Sequence, residues 1–276
     1  MRESWIRFAV RPSVAALREV VSTALFAADA GGVLEDGDWL VTYFPADADL
    51  QGIEARVRAC DSRAAIETRG EAPADWSVGW RHGVTAHTLG RLTVAPPWLA
   101  SAYDPATTII VEPGMAFGTG EHPTTRGVIR LMQLELRPGD TVADLGAGSA
   151  VLSIAAAKLG AGRVAAIELD HDAIGNAEEN VGLSNVAHAV TVIEGDAALL
   201  LPLVAPVRVV LANIVSSVLL DLLPVIANSL ADDGIAILSG ILIEESERMT
   251  WMLGLKGWRI LHEDREDAWW SACIGR

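Results

Sequence analysis

A chain of 276 residues with 51% hydrophobic and 21% charged side chains is long enough for two domains with buried cores. No apolar run approaches the roughly 18 residues that a membrane span needs, and the opening Met1-Arg2-Glu3-Ser4-Trp5-Ile6 lacks the apolar stretch of an export signal. A formal net charge of −15 argues against broad nucleic-acid binding, which depends on cationic contacts to phosphate; it suits a basic partner, and equally plain solubility.

Residues 5–10 (WIRFAV) alternate weakly and predict a strand, and residues 13–28 predict a helix with Ser13 as its cap. Glu35-Asp36-Gly37-Asp38 is a hairpin-type turn between Val33-Leu34 and Trp39-Leu40-Val41. A second helix over 50–59 and a strand over 64–68 complete a β-α-β-β-α-β order, the ferredoxin-like arrangement. Residues 1–70 are thus expected to form a small α+β domain. They carry no chemical motif, so substrate recognition is the natural reading, with a merely stabilising appendage as the alternative. Residues 71–102 are expected as a connector rich in Pro, Gly and Trp, in which Trp76, Trp80 and Trp98 anchor packing.

The catalytic-type domain is expected over 103–276. Its first feature is a glycine-rich flap, Pro113 to Gly120, leading into Glu121-His122-Pro123-Thr124-Thr125 and a helix that runs to Leu134. Hydroxyls and free N–H groups then converge at a helix N-terminus, a place for a carboxylate. Strands follow over 140–144, 163–169, 190–193, 208–213 and 234–239, with helices over 151–159 and 218–230. Residues 258–262 and 269–274 alternate on either side of Glu263–Asp267, which predicts a terminal antiparallel hairpin.

The most informative stretch is Asp144-Leu145-Gly146-Ala147-Gly148-Ser149-Ala150, between an apolar strand and a helix, with a second strand ending at Glu168. Strand, glycine turn, helix, strand is the unit that binds a nucleotide at the carboxyl edge of a parallel sheet. Gly146 and Gly148 let backbone approach a ligand where a Cβ would collide. Glu168, 22 positions past Gly146, stands where a carboxylate accepts from ribose hydroxyls. A dinucleotide fingerprint requires Gly or Ala at 151, and the chain has Val151. Asp144 would repel a diphosphate but suits a ligand carrying an ammonium and a sulfonium. The pattern therefore favours S-adenosyl-L-methionine over NAD. Cys60 and Cys273, the only cysteines, lack the spacing of a disulfide framework or a zinc site, so no metal and a cytoplasmic location are expected.

Glu112-Pro113-Gly114, Ala116-Phe117-Gly118-Thr119-Gly120 and His122-Pro123-Thr124-Thr125 closely resemble the PrmA family, the methyltransferases of the large-subunit ribosomal protein numbered eleven. The resemblance continues through Asp75-Trp76 with Trp80, the glycine motif, Ala212-Asn213-Ile214 and Leu238-Ser239-Gly240-Ile241-Leu242, and so spans nearly the whole chain. It implies a Rossmann-like class I methyltransferase sheet closed by the antiparallel hairpin, with S-adenosyl-L-methionine as cofactor. It also implies that Thr125, Gly146, Glu168 and Asn213 contact that cofactor; Phe117, Thr119, Asp144 and Gly148 complete the expected binding set. The implied partner is a basic ribosomal protein gripped by the first domain, with no direct nucleic-acid or membrane contact, and a monomer is expected. Three residues depart from the family pattern: Ala150 replaces the usual glycine, Glu168 stands where aspartate is usual, and Asp170-His171 lacks a following proline.

The expected reaction is in-line methyl transfer to an amine of a lysine or an N-terminus, in which positioning dominates. Asn213 is the candidate catalytic residue, holding the neutral amine in line, and His122 is a reserve base. Alternatives are a methyltransferase of the same fold acting on another protein lysine or a small molecule, a nucleotide-dependent oxidoreductase, and a catalytically silent binding module.

Overall fold

The computed structural model describes residues 5–14, 17–26, 28, 30, 33–45, 48–71, 85–112 and 120–276. The chain divides into two compact units, Met1–Gly83 and Val84–Arg276.

The first unit contains β1 (Trp5–Arg11), α1 (Arg18–Phe26), β2 (Leu34–Asp36), β3 (Trp39–Pro45), α2 (Leu50–Cys60) and β4 (Ala65–Glu71). The strands form one antiparallel sheet in the order β2-β3-β1-β4. Its core is Phe8, Val10, Leu40 and Phe44 from the sheet with Val21, Leu25, Ile53 and Val57 from the helices. Phe8 and Phe44 meet edge to face with centroids 5.8 Å apart. Gly37, at φ +58°, closes the two-residue turn between β2 and β3. Asp49 caps α2 by accepting from Gly52 N at 3.0 Å. Helix α1 differs from the expectation for 13–28. Ser13 does not cap it, because its N–H and hydroxyl donate to the Asp61 carboxylate at 2.6 and 2.8 Å.

The second unit opens with β5 (His87–Leu89), β6 (Leu92–Ala95), α3 (Pro97–Ala100) and β7 (Thr108–Ile110), with the three strands forming a small sheet of their own. The later part of the stretch read as a connector therefore belongs to this unit, and Leu89, Leu92 and Val94 enter its core. Trp76 and Trp80 lie outside the described residues.

The main sheet is built from β8 (Thr141–Leu145), β9 (Arg163–Glu168), β10 (Val190–Glu194), β11 (Val207–Asn213), β12 (Leu230–Leu242), β13 (Arg259–Glu266) and β14 (Trp269–Gly275). Its order is β10-β9-β8-β11-β12-β14-β13, parallel through β12, with β14 antiparallel to both neighbours. This is the Rossmann-like arrangement with a terminal hairpin. Between the strands run α4 (Pro123–Glu135), α5 (Val151–Lys158), α6 (His171–Leu183), α7 (Ala197–Val204), α8 (Ser216–Ser229) and α9 (Ser246–Leu255). Residues of α4, α5 and α6 pack with Val209 and Leu211, whereas residues of α7, α8 and α9 pack with Val210 and Ala212. A strand covered on both faces has no polar alternation, which is why β11 reads as a continuous apolar run.

In the terminal hairpin the strands run on through most of the acidic stretch that the sequence suggests as a loop, and the turn shrinks to Asp267-Ala268. The acids stay in the strand because each finds a donor. Glu263 accepts from Trp270 Nε1 at 2.9 Å, and Arg130 of α4 forks onto Asp264 and reaches Glu266 at 2.6 Å. Among the described residues, no helix is long and apolar enough to cross a membrane.

Candidate active site

The glycine turn leaves β8 and doubles back beside β9. Gly146 and Ala147 donate their N–H groups to the Ile167 carbonyl at 2.9 and 3.1 Å, which fixes the start of the turn. Gly146 and Gly148 have φ of +71° and +53°, and a Cβ on Gly146 would sit 2.6 Å from Ile214 Cγ2. Glycine is thus needed at 146 for both conformation and space. Ala150 also adopts a left-handed conformation, φ +63°, at the N-cap of α5. There a glycine would be unstrained, while alanine costs on the order of 1 kcal/mol.

Five of the expected residues, Thr125, Gly146, Gly148, Glu168 and Asn213, line one pocket of about 220 Å³, with Val151, Leu152 and Ile214 among its apolar walls. Two larger cavities lie elsewhere: about 540 Å³ beside Arg11 and Arg63 in the first unit, and about 490 Å³ between α8 and α9. Neither is lined by the glycine turn. Phe117 and Thr119, with the rest of the flap at 113–119, lie outside the described residues.

Asp144, at the end of β8, is buried; its Oδ2 accepts from Ser153 Oγ at 2.6 Å while its Oδ1 has no partner. Burial pushes its carboxyl up to about 6, against the pull of the Ser153 hydrogen bonds and with a smaller push from the Glu168 charge. Thr125 Oγ1 is also buried without a partner. Two orphaned oxygens in and next to one pocket are costly in an empty fold and point to groups that a ligand satisfies. Glu168 is half-buried, and its carboxylate accepts from Gly148 N at 2.7 Å and from Asp170 N at 2.8 Å. It thereby ties the glycine turn to the end of β9, with lone pairs to spare for further donors. Asn213, half-buried, ends β11 in register with Ser239 of β12.

The N-terminus of α4 departs from its expected form. The cap is His122: its Nδ1 accepts from Thr124 N at 3.4 Å and lies 2.7 Å from Thr124 Oγ1. Pro123 takes the first helical position, where its missing N–H is no loss. The His122 ring packs edge-on against Trp269 at 5.0 Å, and burial, then the Arg126 charge, lowers its pKa. The reserve base therefore does structural work.

Asn180 is the supporting residue that the sequence reading passed over. Fully buried on α6, it donates to the Ser149 carbonyl of the glycine turn at 3.0 Å and accepts from Glu112 N at 2.8 Å. The available signal was a polar residue on the stripe Ala173, Ala177, Val181 that α6 buries. Among the described residues, no group of His, Cys, Asp or Glu is placed to hold a metal ion.

The model of the family described as ribosomal protein L11 methyltransferase (PrmA) matches residues 17–276. The ribosomal protein L11 methyltransferase of Pelotomaculum thermopropionicum is 36% identical over 240 residues, covering 82% of this chain and 76% of its own. That of Lacticaseibacillus paracasei is 33% identical over 251 residues, covering 86% and 78%. The crystal structure of the ribosomal protein L11 methylase from Lactobacillus delbrueckii subsp. bulgaricus aligns with a TM-score of 0.62 at 31% identity, covering 70% of this chain and 99% of that one. With its sheet order, its glycine turn and these relatives, the chain belongs to the ribosomal protein L11 methyltransferase (PrmA) family of class I, Rossmann-like methyltransferases.

Proposed function

We propose that the protein transfers methyl groups from S-adenosyl-L-methionine to amino groups of a large-subunit ribosomal protein of the L11 type, on lysine side chains, the N-terminus or both. The observation that carries the reading is a pocket lined by the glycine turn, Glu168, Asn213 and Thr125, with Thr125 Oγ1 buried and without a partner, and a second orphaned oxygen, Asp144 Oδ1, two positions before Gly146. The donor set fits this cofactor. Glu168 would accept from the ribose diol, Gly146 and Gly148 would offer close backbone, and Thr125 and Asn213 would hold the methionine end. The charge of Asp144 would face the ammonium. When bound, the cofactor supplies an electrophilic methyl group on sulfur.

The chain's own task is to present the amine. A lysine in water, with a pKa of about 10.4, is protonated and cannot attack. Val151, Leu152 and Ile214 give the pocket apolar walls, and desolvation of an amine against them would favour its neutral form. The Asn213 side-chain oxygen then accepts an amine N–H and holds the lone pair in line. His122 is not needed as a base, since its Nδ1 is committed to Thr124. The first unit, without chemistry of its own, is assigned to gripping the protein substrate. The second unit carries 23 acidic against 12 basic residues, a field that draws a basic protein.

Tritiated S-adenosyl-L-methionine, the purified chain and ribosomes from a strain lacking the enzyme test the proposal. Label should enter the L11-type protein, with added methyls mapped to amines by mass spectrometry. Label confined to another protein or to RNA would overturn it.

A further inference from the structure

Ser239 is fully buried in β12, and two neighbours of the pocket meet on it. Its carbonyl accepts from Ile214 N at 3.2 Å, and Ile214 walls the pocket against Gly146. Its hydroxyl lies 2.7 Å from Ser271 Oγ of β14 and 3.4 Å from the carbonyl of Thr124 in the first turn of α4. The proton assignment that satisfies both contacts has Ser271 donating to Ser239 and Ser239 donating to Thr124. The next residue in the chain is Thr125, which is among the residues lining the pocket and whose buried hydroxyl has no partner.

Gly127 shows how close this contact is. A Cβ there would lie 2.6 Å from Ser271 Oγ and 3.2 Å from Asp264 Oδ1, so α4 approaches the hairpin as nearly as a backbone can. Along their own strands the serines are flanked mainly by apolar residues, Ile237, Leu238 and Ile241 on β12 and Ala272 and Cys273 on β14, while Asn213 and Asp264 stand opposite them in register. Filling such a layer with two hydroxyls is costly unless both are bonded, and an apolar pair would pack without that condition. Plain packing thus gives no reason for two serines here, whereas a demand on the position of Thr124 does.

We infer that the Ser271–Ser239 hydroxyl pair is a positioning bridge, fixing the first turn of α4 so that Thr125 presents its hydroxyl to the pocket. The inference rests on the reading of that pocket as the S-adenosyl-L-methionine site. Calorimetric binding of S-adenosyl-L-methionine to the full chain tests it, using wild type, Ser239→Ala, Thr125→Ala and the double variant. Losing a neutral hydrogen bond of this kind should weaken binding about five- to tenfold in Ser239→Ala. Because Ser239 acts through Thr125, the double variant should bind no more weakly than Thr125→Ala alone. Additive losses, or a lowered thermal midpoint with unchanged affinity, would overturn the bridge. Should Ser239→Ala not fold, Ser271→Ala takes its place; it keeps the contact to Thr124 but removes its donor, and should weaken binding by about two- to fivefold. Wild-type chain that does not bind S-adenosyl-L-methionine would instead overturn the reading of the pocket, and the inference with it.

Discussion

Each unit buries an aspartate, and the two are treated in opposite ways. Asp61 in the first unit is 3% exposed, close beneath the surface, and accepts from Ser13 N, Ser13 Oγ and Arg63 N. Those donors, led by the Ser13 N–H, hold its carboxyl below the usual value. Asp144 in the second unit lies deep, is bonded by Ser153 alone, keeps one oxygen bare and is pushed up to about 6 by burial. A carboxylate whose lone pairs are consumed by its own chain is scaffolding. One left short of partners carries an unmet hydrogen-bonding demand, which the proposed function assigns to a cationic ligand.

The largest test cuts the units apart. A chain beginning at Val84 keeps Leu89, Leu92 and Val94 in the core that they share with α4 and α5. It should bind S-adenosyl-L-methionine with nearly full affinity yet methylate the ribosomal protein at least about 100-fold more slowly, because remote binding energy is lost. Full activity of this truncated chain would erase the division of labour. Within the second unit, Asn213→Ala should lower the single-turnover rate by about 100-fold while changing cofactor affinity only a few-fold, as befits an alignment contact. A rate equal to wild type would reduce Asn213 to a strand end.

Glu168→Ala should weaken S-adenosyl-L-methionine by roughly ten- to a hundredfold, the loss expected for about 1.5–3 kcal/mol of charged hydrogen bonding. Glu168→Gln keeps an acceptor for Gly148 N and should lose less; calorimetry showing both unchanged would remove Glu168 from the site. The smallest effect is the pH response of Asp144. Its raised pKa means that it is protonated below about 6 in the free protein, and only the ionised form attracts a cationic ligand. Affinity should therefore fall by up to about tenfold per unit as pH drops below that value. Stability of the ligand-free chain runs the other way: the contribution is present in full below 3.8 and lost as pH rises through about 6. Asp144→Asn should flatten both profiles, and an unchanged profile in that variant would place the titration elsewhere.

The glycine turn, the strand ends at Glu168 and Asn213 and the hairpin after β12 were legible because their signals are local. Glycine at a left-handed position, an acid a fixed distance on, and runs of β-branched residues need no partner to be recognised. Where the sequence reading failed, the deciding partner was distant in the chain. Ser13 reads as a helix cap, but Asp61, 48 positions away, takes its hydroxyl. Glu263 to Glu266 read as a polar loop, but they lie in strand, where Arg130 pairs with Asp264 and Glu266 and the Trp270 indole donates to Glu263. Residues 85–102 read as linker because their two short strands, β5 and β6, carry little periodicity of their own, and pairing with each other and with β7 makes them a sheet.

Sequence by itself determined the fold class, the glycine turn and the residues at the strand ends, since backbone conformation and hydrophobic period are properties of neighbours along the chain. Only the tertiary structure decided which polar groups remain unsatisfied. Asp144 and Ser153, Asn180 and Ser149, and Ser239 with Ser271 and Thr124 are pairings made across the fold. A buried hydrogen bond depends on who arrives opposite, and no local pattern carries that information.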